Sequence, residues 1–261
     1  MELYLGPHLD DIALSCGGRV FARGAAGVDV LAVTLCAGDT PPDLAASPAV
    51  RRVHDEWRLS GNPYAARRRE DRRACRHLGA CCLQLPLLDA VYRRDAAGRM
   101  LYSRKFLGAR IKPYDQRHHA RAVEAALRDL HAKHPQARVF VPLAIGGHVD
   151  HVVVRAAAER VFELRQLRYY EDFPYVARAT PEEITAATHG LIAQPFALTR
   201  AALEAKVGAI ALYESQLFAL FRARERAAAL AAMRLLVGEY SRRVNGERYW
   251  AHTQPPGGRT A

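Results

Sequence analysis

Lysine is scarce in this chain: only Lys105, Lys112, Lys133 and Lys206 occur among 38 basic residues. The remaining basic residues are arginines in an alanine-rich background, a pattern that reads as coding bias. The net charge of +11 raises nucleic acid or an anionic surface as a partner, but the bias weakens that inference, and no nucleic-acid partner is expected. The longest basic cluster, Arg67-Arg68-Arg69-Glu70-Asp71-Arg72-Arg73, is interleaved with acids and reads as a solvated helix face. Cysteine is also sparse. Cys16, Cys36, Cys75, Cys81 and Cys82 are odd in number and contain no CxxC pair, which excludes a disulfide framework and favours a reducing cytoplasm. No apolar run approaches the ~18 residues of a membrane span, and no charged-then-apolar leader precedes the first predicted strand. A GxGxxG fingerprint is missing after that strand, which argues against a dinucleotide site. No repeat, low-complexity block or strong linker divides the chain.

The 261 residues are half hydrophobic, enough for one sizeable core. A single domain is expected over 1–250, with a flexible tail over 251–261. Strands are predicted at Leu3–Leu5, Val28–Cys36, Cys81–Leu85, Arg138–Val141 and Leu167–Tyr170. Helices are predicted over Asp11–Ala22, Arg67–Leu78, Asp115–Lys133, about Val149–Leu164, and Arg200–Ala232, the last in one or two pieces. Ala37–Ala65 reads as a long loop with at most a short helix near His54–Trp57, and Asp89–Pro113 as irregular. Alternating strands and helices make an α/β fold, a Rossmann-like three-layer sandwich with a mostly parallel sheet. Ligands in such sheets gather at the carboxyl ends of the strands.

Two motifs fall at those ends. "PHLDD" carries His8, Asp10 and Asp11 after the first strand, and "GGHVDH" carries His148, Asp150 and His151 after the strand at 138–141. Buried carboxylates need compensation, for instance by a cation. Residues three apart at a helix start share a side, so His8 and Asp11 point to one place and Asp10 to another. Two histidines and a carboxylate with an open fourth position form a catalytic zinc arrangement, in which bound water reaches a pKa near 7. If His8, Asp11 and His151 hold the ion, Asp10 is free to act as general base. His148 remains to stabilise an oxyanion as an imidazolium, and Asp150 to orient or charge a histidine. Either motif alone is common; the pair at two strand ends is what carries weight. Cys16 reads as a small buried residue, Trp57 and Trp250 as anchors, Tyr213 and Gln216 as packing or solvated positions, and Arg93 and Arg94 as surface.

"PHLDD" and "GHVDH" together resemble the LmbE-like, or PIG-L-like, zinc-dependent N-deacetylases. "RRREDRRACRHLGA", "YYEDFPY" and "KVGAIALYESQ" agree with that likeness, which spans nearly the whole chain. The resemblance implies an LmbE-like deacetylase fold and one Zn2+ per chain held by His8, Asp11 and His151. It also implies Asp10 as general base, and His148 as electrophilic stabiliser with Asp150 beside it. The implied reaction is hydrolysis, by zinc-bound water, of an N-acetylglucosamine-type amide in a small-molecule conjugate, and the family often forms homo-oligomers. Leu9 and Ile12 depart from the common "HPDDE" form, and Ala144-Ile145-Gly146 lacks the tyrosine that some thiol-cofactor deacetylases carry before the second motif. These forms look closer to the branch of glycopeptide-antibiotic deacetylases. Substrate selection is expected from Ala37–Ala65 and Asp89–Lys112. The alternatives are a metal-free basic module that binds nucleotide or RNA, and a metal-dependent phosphoesterase.

Overall fold

The computed structural model describes residues 1–44, 48–59, 62–102 and 106–253. One sheet runs through it, built from β1 (Glu2–Gly6), β2 (Val30–Thr34), β3 (Cys81–Gln84), β4 (Arg138–Pro142), β5 (Leu167–Tyr170), β6 (Leu191–Phe196) and β7 (Glu247–His252). The order is β3-β2-β1-β4-β5-β7-β6. The first five strands in that order are parallel, and β7 runs antiparallel to both β5 and β6. β1 is buried at every position and β4 at all but its first, as expected for central parallel strands covered on both faces.

The helices follow from the connections. α1 (Asp11–Ala25), α2 (Pro48–Glu56) and α3 (Pro63–His77) precede β3; α4 (Pro113–Arg117) and α5 (His119–Lys133) precede β4; α6 (Val149–Val161) joins β4 to β5. α7 (Pro181–Ala187) leads into β6, and α8 (Arg200–Ile210), α9 (Glu214–Phe221) and α10 (Arg226–Val244) separate β6 from β7. The β1-α1-β2 crossover moves outward one way along the sheet and β4-α6-β5 the other. Right-handed crossovers therefore put α1 and α6 on opposite faces. The reversal falls between β1 and β4, so the loops following these two strands flank the switch point of the sheet.

α1 packs closely on α8 and the strand beyond it. A Cβ on Gly18 would sit 2.6 Å from Leu198, which is why this turn of α1 carries no side chain. The same junction buries an ion pair: Lys206 donates to Glu247 at 2.8 Å, both fully buried, and Glu247 also accepts from the Gly18 and Arg19 amides. Removing one partner strands the other charge, at a cost of about 3–5 kcal/mol. Lys206→Met should lower stability by that order in denaturant unfolding, and Lys206→Met with Glu247→Leu should recover much of it. A single variant as stable as the parent would show that the pair contributes nothing.

The sequence-based elements need several corrections. α2 and a 3-10 turn at Pro42–Leu44 occupy the expected loop at 37–65, and α3 begins at Pro63 instead of Arg67. The helix predicted over 115–133 breaks at His118. The one predicted over 200–232 is three helices, interrupted after Ile210 and by Arg222 in the left-handed region at φ 51°. β6 and β7 were not expected: β6 is half exposed and contains Pro195, as an outer strand tolerates. β7 runs to His252, two residues past the expected domain end, and the expected tail from 254 onward lies outside the described residues. α7 carries a readable start, the Thr180–Glu183 capping box.

Candidate active site

The chain leaves β1, passes through Pro7–Asp10 and enters α1 at Asp11. The Asp11 carboxylate accepts the His8 amide at 2.6 Å, folding the loop back on the helix start. This places His8 Nδ1 3.5 Å from Asp11 Oδ2. After β4 the chain turns through Ala144 and Gly146, both at positive φ, and starts α6 with His148 as its N-cap. A side chain on Gly146 would meet the Tyr175 ring at 3.1 Å, so the glycine lets Tyr175 lie over this turn.

The two loops meet. The rings of His8 and His148 are 4.6 Å apart, His8 and His151 5.3 Å, and His148 and His151 5.4 Å. One nitrogen from each lies within 4.8 Å of the other two. His151 Nε2 sits 3.5 Å from Asp11 Oδ1, while its Nδ1 is held by Asp172 at 2.6 Å. Asp172 also accepts the Ile145 amide, so the imidazole is oriented from behind. His151 Nε2 is buried and has no hydrogen-bond partner among the described residues. That orphaned nitrogen, facing a carboxylate beside a second imidazole, suits a divalent cation. The donor set of His8, Asp11 and His151 is one that zinc accepts with a position to spare.

Asp10 lies beside this group, 7% exposed, with Arg67 Nη2 3.8 Å from its Oδ1. Burial pushes its carboxyl up to about 6, against the opposing pull of Arg67. Burial also disfavours charge on Asp11, but His151 and His8 outweigh it and hold that carboxyl down at about 2. The two adjacent acids are thus separated in proton affinity by their partners, the pattern expected of an acid-base pair with divided roles.

His148 behaves differently from the expectation of an imidazolium. Burial, then the neighbouring His8, lowers it to about 3. Its Nδ1 accepts the Asp150 amide at 3.2 Å, so the neutral ring carries its proton on Nε2. Asp150 is fully buried beneath the histidines. It contacts His8 Nε2 at 3.0 Å, nearer than His148 Nδ1 at 4.0 Å, and also accepts from the Ala90 amide and the Arg93 guanidinium.

A cavity of about 340 Å³ opens above these residues, with His8, Asp10, Asp11 and His148 in its wall. The segments expected to choose the substrate reach it: Val53 and Trp57 from the first, Asp89, Phe106 and Leu107 from the second. The model of the PIG-L family, GlcNAc-PI de-N-acetylase, matches residues 3–162, which include both motifs. The chain belongs to this de-N-acetylase family. Among curated relatives, a 2'-N-acetylparomamine deacetylase of Streptomyces fradiae is 31% identical over 225 residues, covering 82% of this chain and 72% of that protein. Among solved structures, the zinc-inhibited form of the teicoplanin deacetylase Orf2 superposes with a TM-score of 0.78 at 27% identity, covering 95% of this chain and 96% of that one. The A40926 pseudoaglycone deacetylase Dbv21 gives 0.73 at 26% identity, covering 95% of each chain.

Several buried polar residues in and near this candidate site were not anticipated. Arg67 and Asp71, read as part of a solvated face, are both buried. Arg67 stacks over Trp57 at 4.4 Å and lines the cavity. Arg93, read as surface, is 5% exposed and lies between Asp150 and Asp115, 2.9 Å from the latter; Arg94 does stay at the surface, paired with Asp43. Asp89 sits 3.6 Å from His8 Nε2 and accepts the Tyr64 hydroxyl at 2.6 Å. Asp172 and Tyr175 belong to "YYEDFPY", a stretch whose paired acids among aromatics were the available signal. The arginines carried none, because inward and outward arginines look alike in sequence. Cys16 is buried as expected, and Trp250 is half-buried with its indole N–H on Glu171.

No helix among the described residues is long and apolar enough to cross a membrane.

Proposed function

We propose that the chain is a zinc-dependent hydrolase that removes the acetyl group from an N-acetylated amino-sugar conjugate, with His8, Asp11 and His151 holding the ion. The observation that supports this is that His8 Nδ1 and His151 Nε2 each lie 3.5 Å from an oxygen of Asp11, with Asp10 and His148 beside them. The likeness to deacetylases of acetylated aminoglycoside and glycopeptide compounds supports the substrate class. When bound, zinc supplies Lewis acidity, making water more acidic and polarising an amide oxygen.

The chain's own residues do the rest. Asp10, with a carboxyl near 6, takes the proton of the attacking water and returns it to the leaving amine. Arg67 faces the outer side of the Asp10 carboxylate and limits where it can swing. The Nε2–H of neutral His148 donates to the developing oxyanion. Asp150 acts through others: it fixes His8 by its outer nitrogen and is itself locked by Arg93 and the Ala90 amide. Asp172 does the same for His151. Phe106 and Leu107 give the cavity wall apolar surface against which a sugar ring can pack, and Trp57, covered by Arg67, backs that wall. The products are acetate and a free amino sugar.

Zinc-loaded protein is expected to release acetate stoichiometrically from at least one N-acetylglucosamine-type or N-acetylated aminoglycoside conjugate, read by coupled acetate assay and product mass. No acetate from any N-acetylated sugar, with phosphate released from phosphoesters instead, would overturn the assignment.

A further inference from the structure

We propose that Asp71, Cys75 and Cys82 form a second metal site, outside the catalytic cluster, for a thiophilic divalent cation such as zinc or cadmium. Asp71 and Cys75 are four apart on α3 and therefore share a face. That face lies on β3, which contributes Cys82. Cys82 Sγ is 3.4 Å from Asp71 Oδ2, and one donor atom of each residue lies within 4.8 Å of the other two. Metal–ligand bonds of about 2.0–2.3 Å bring donors to roughly 3.5 Å from one another, so closure needs only small side-chain rotations.

Two further features point to a cation. The Asp71 carboxylate is buried at 4% exposure, yet its partners are a phenol, an amide, a hydroxyl and a thiol, none of them charged. A carboxylate without a cation is costly to bury. Those partners also hold it in place: Tyr213 bonds Oδ1 and Gln84 bonds Oδ2, each at 2.8 Å, as outer partners orient a ligating carboxylate. Access comes from the sheet edge, since β3 is its terminal strand and Cys82 is only half-buried. Two sulfurs and one carboxylate oxygen favour zinc or cadmium and reject magnesium and calcium. Binding is balanced as M2+ plus two thiols giving the dithiolate complex and two released protons, with a further proton leaving Asp71 to the extent that burial, which raises its carboxyl, keeps it protonated.

The test is a titration of metal-free, fully reduced protein with Cd2+, read by the ultraviolet thiolate-to-cadmium charge-transfer band and by proton release. The wild-type chain is expected to show the band. Cys75→Ser with Cys82→Ser is expected to lose it, with deacetylase activity unchanged. His151→Ala is expected to keep it, which separates this site from the catalytic one whether or not the chain proves to be a deacetylase. A wild-type chain without the band, or a double variant that retains it, overturns the proposal. Should the double variant fold poorly, alkylation of the unmodified protein reads the same interaction. Cd2+ should protect Cys82 from iodoacetamide while exposed Cys81 stays reactive; equal labelling of both with and without Cd2+ overturns it.

Discussion

Asp10→Asn is expected to keep its metal and lose turnover by about 10²–10⁴-fold, the range that a positioned general base contributes. Asparagine preserves the shape of the side chain and its contact with Arg67, 3.8 Å away, but cannot carry a proton between water and amine. Burial holds the Asp10 carboxyl at about 6, which makes it a stronger base than a solvated aspartate while leaving it ionised near neutrality. The loss should therefore fall on kcat, with KM moving far less, because Asp10 is needed for proton transfer more than for holding the substrate. Acetate release and elemental analysis of the same sample decide the matter. Wild-type turnover would remove Asp10 from the mechanism, and loss of metal would make it a ligand.

His151→Ala should abolish both metal binding and activity. The substitution deletes Nε2, the buried nitrogen 3.5 Å from Asp11. Disturbing a residue that merely orients a ligand weakens metal binding by about 10–100-fold, so deleting a ligand should exceed that range. It also leaves Asp172 without its 2.6 Å partner, and a lower melting temperature is expected alongside. Adding excess zinc should restore less activity to this variant than to one altered only at Asp172. Full zinc occupancy with normal acetate release in His151→Ala would place the ion elsewhere.

These two residues were legible because each belongs to a short motif whose spacing means something locally. His8 and Asp11, and likewise His148 and His151, are three apart at helix starts, and each group follows a strand of unmistakable apolar character. Once the alternation of strands and helices is read as a parallel sheet, both motifs must lie at its carboxyl edge. That they lie on neighbouring strands, β1 and β4, is a matter of strand order, which periodicity does not carry. β6 and β7 were missed for a related reason. They join the sheet antiparallel, far from the repeating crossover pattern, and β6 buries too little to announce itself.

What the residues alone determined, then, was the α/β class and the two histidine–aspartate motifs at strand ends, because backbone periodicity and helical spacing act over a few residues. The tertiary structure decided which distant groups close around them: Arg67 at Asp10, Asp89 at His8, Arg93 beneath Asp150 and Asp172 behind His151. Burial and the neighbouring His8 also lower the proton affinity of His148. Arg67, Arg93, Asp89 and Asp172 sit inside because buried polar or charged groups meet them there. Those groups come from other segments of the chain, so burial and charge state are properties of the assembled site and not of any local run of residues.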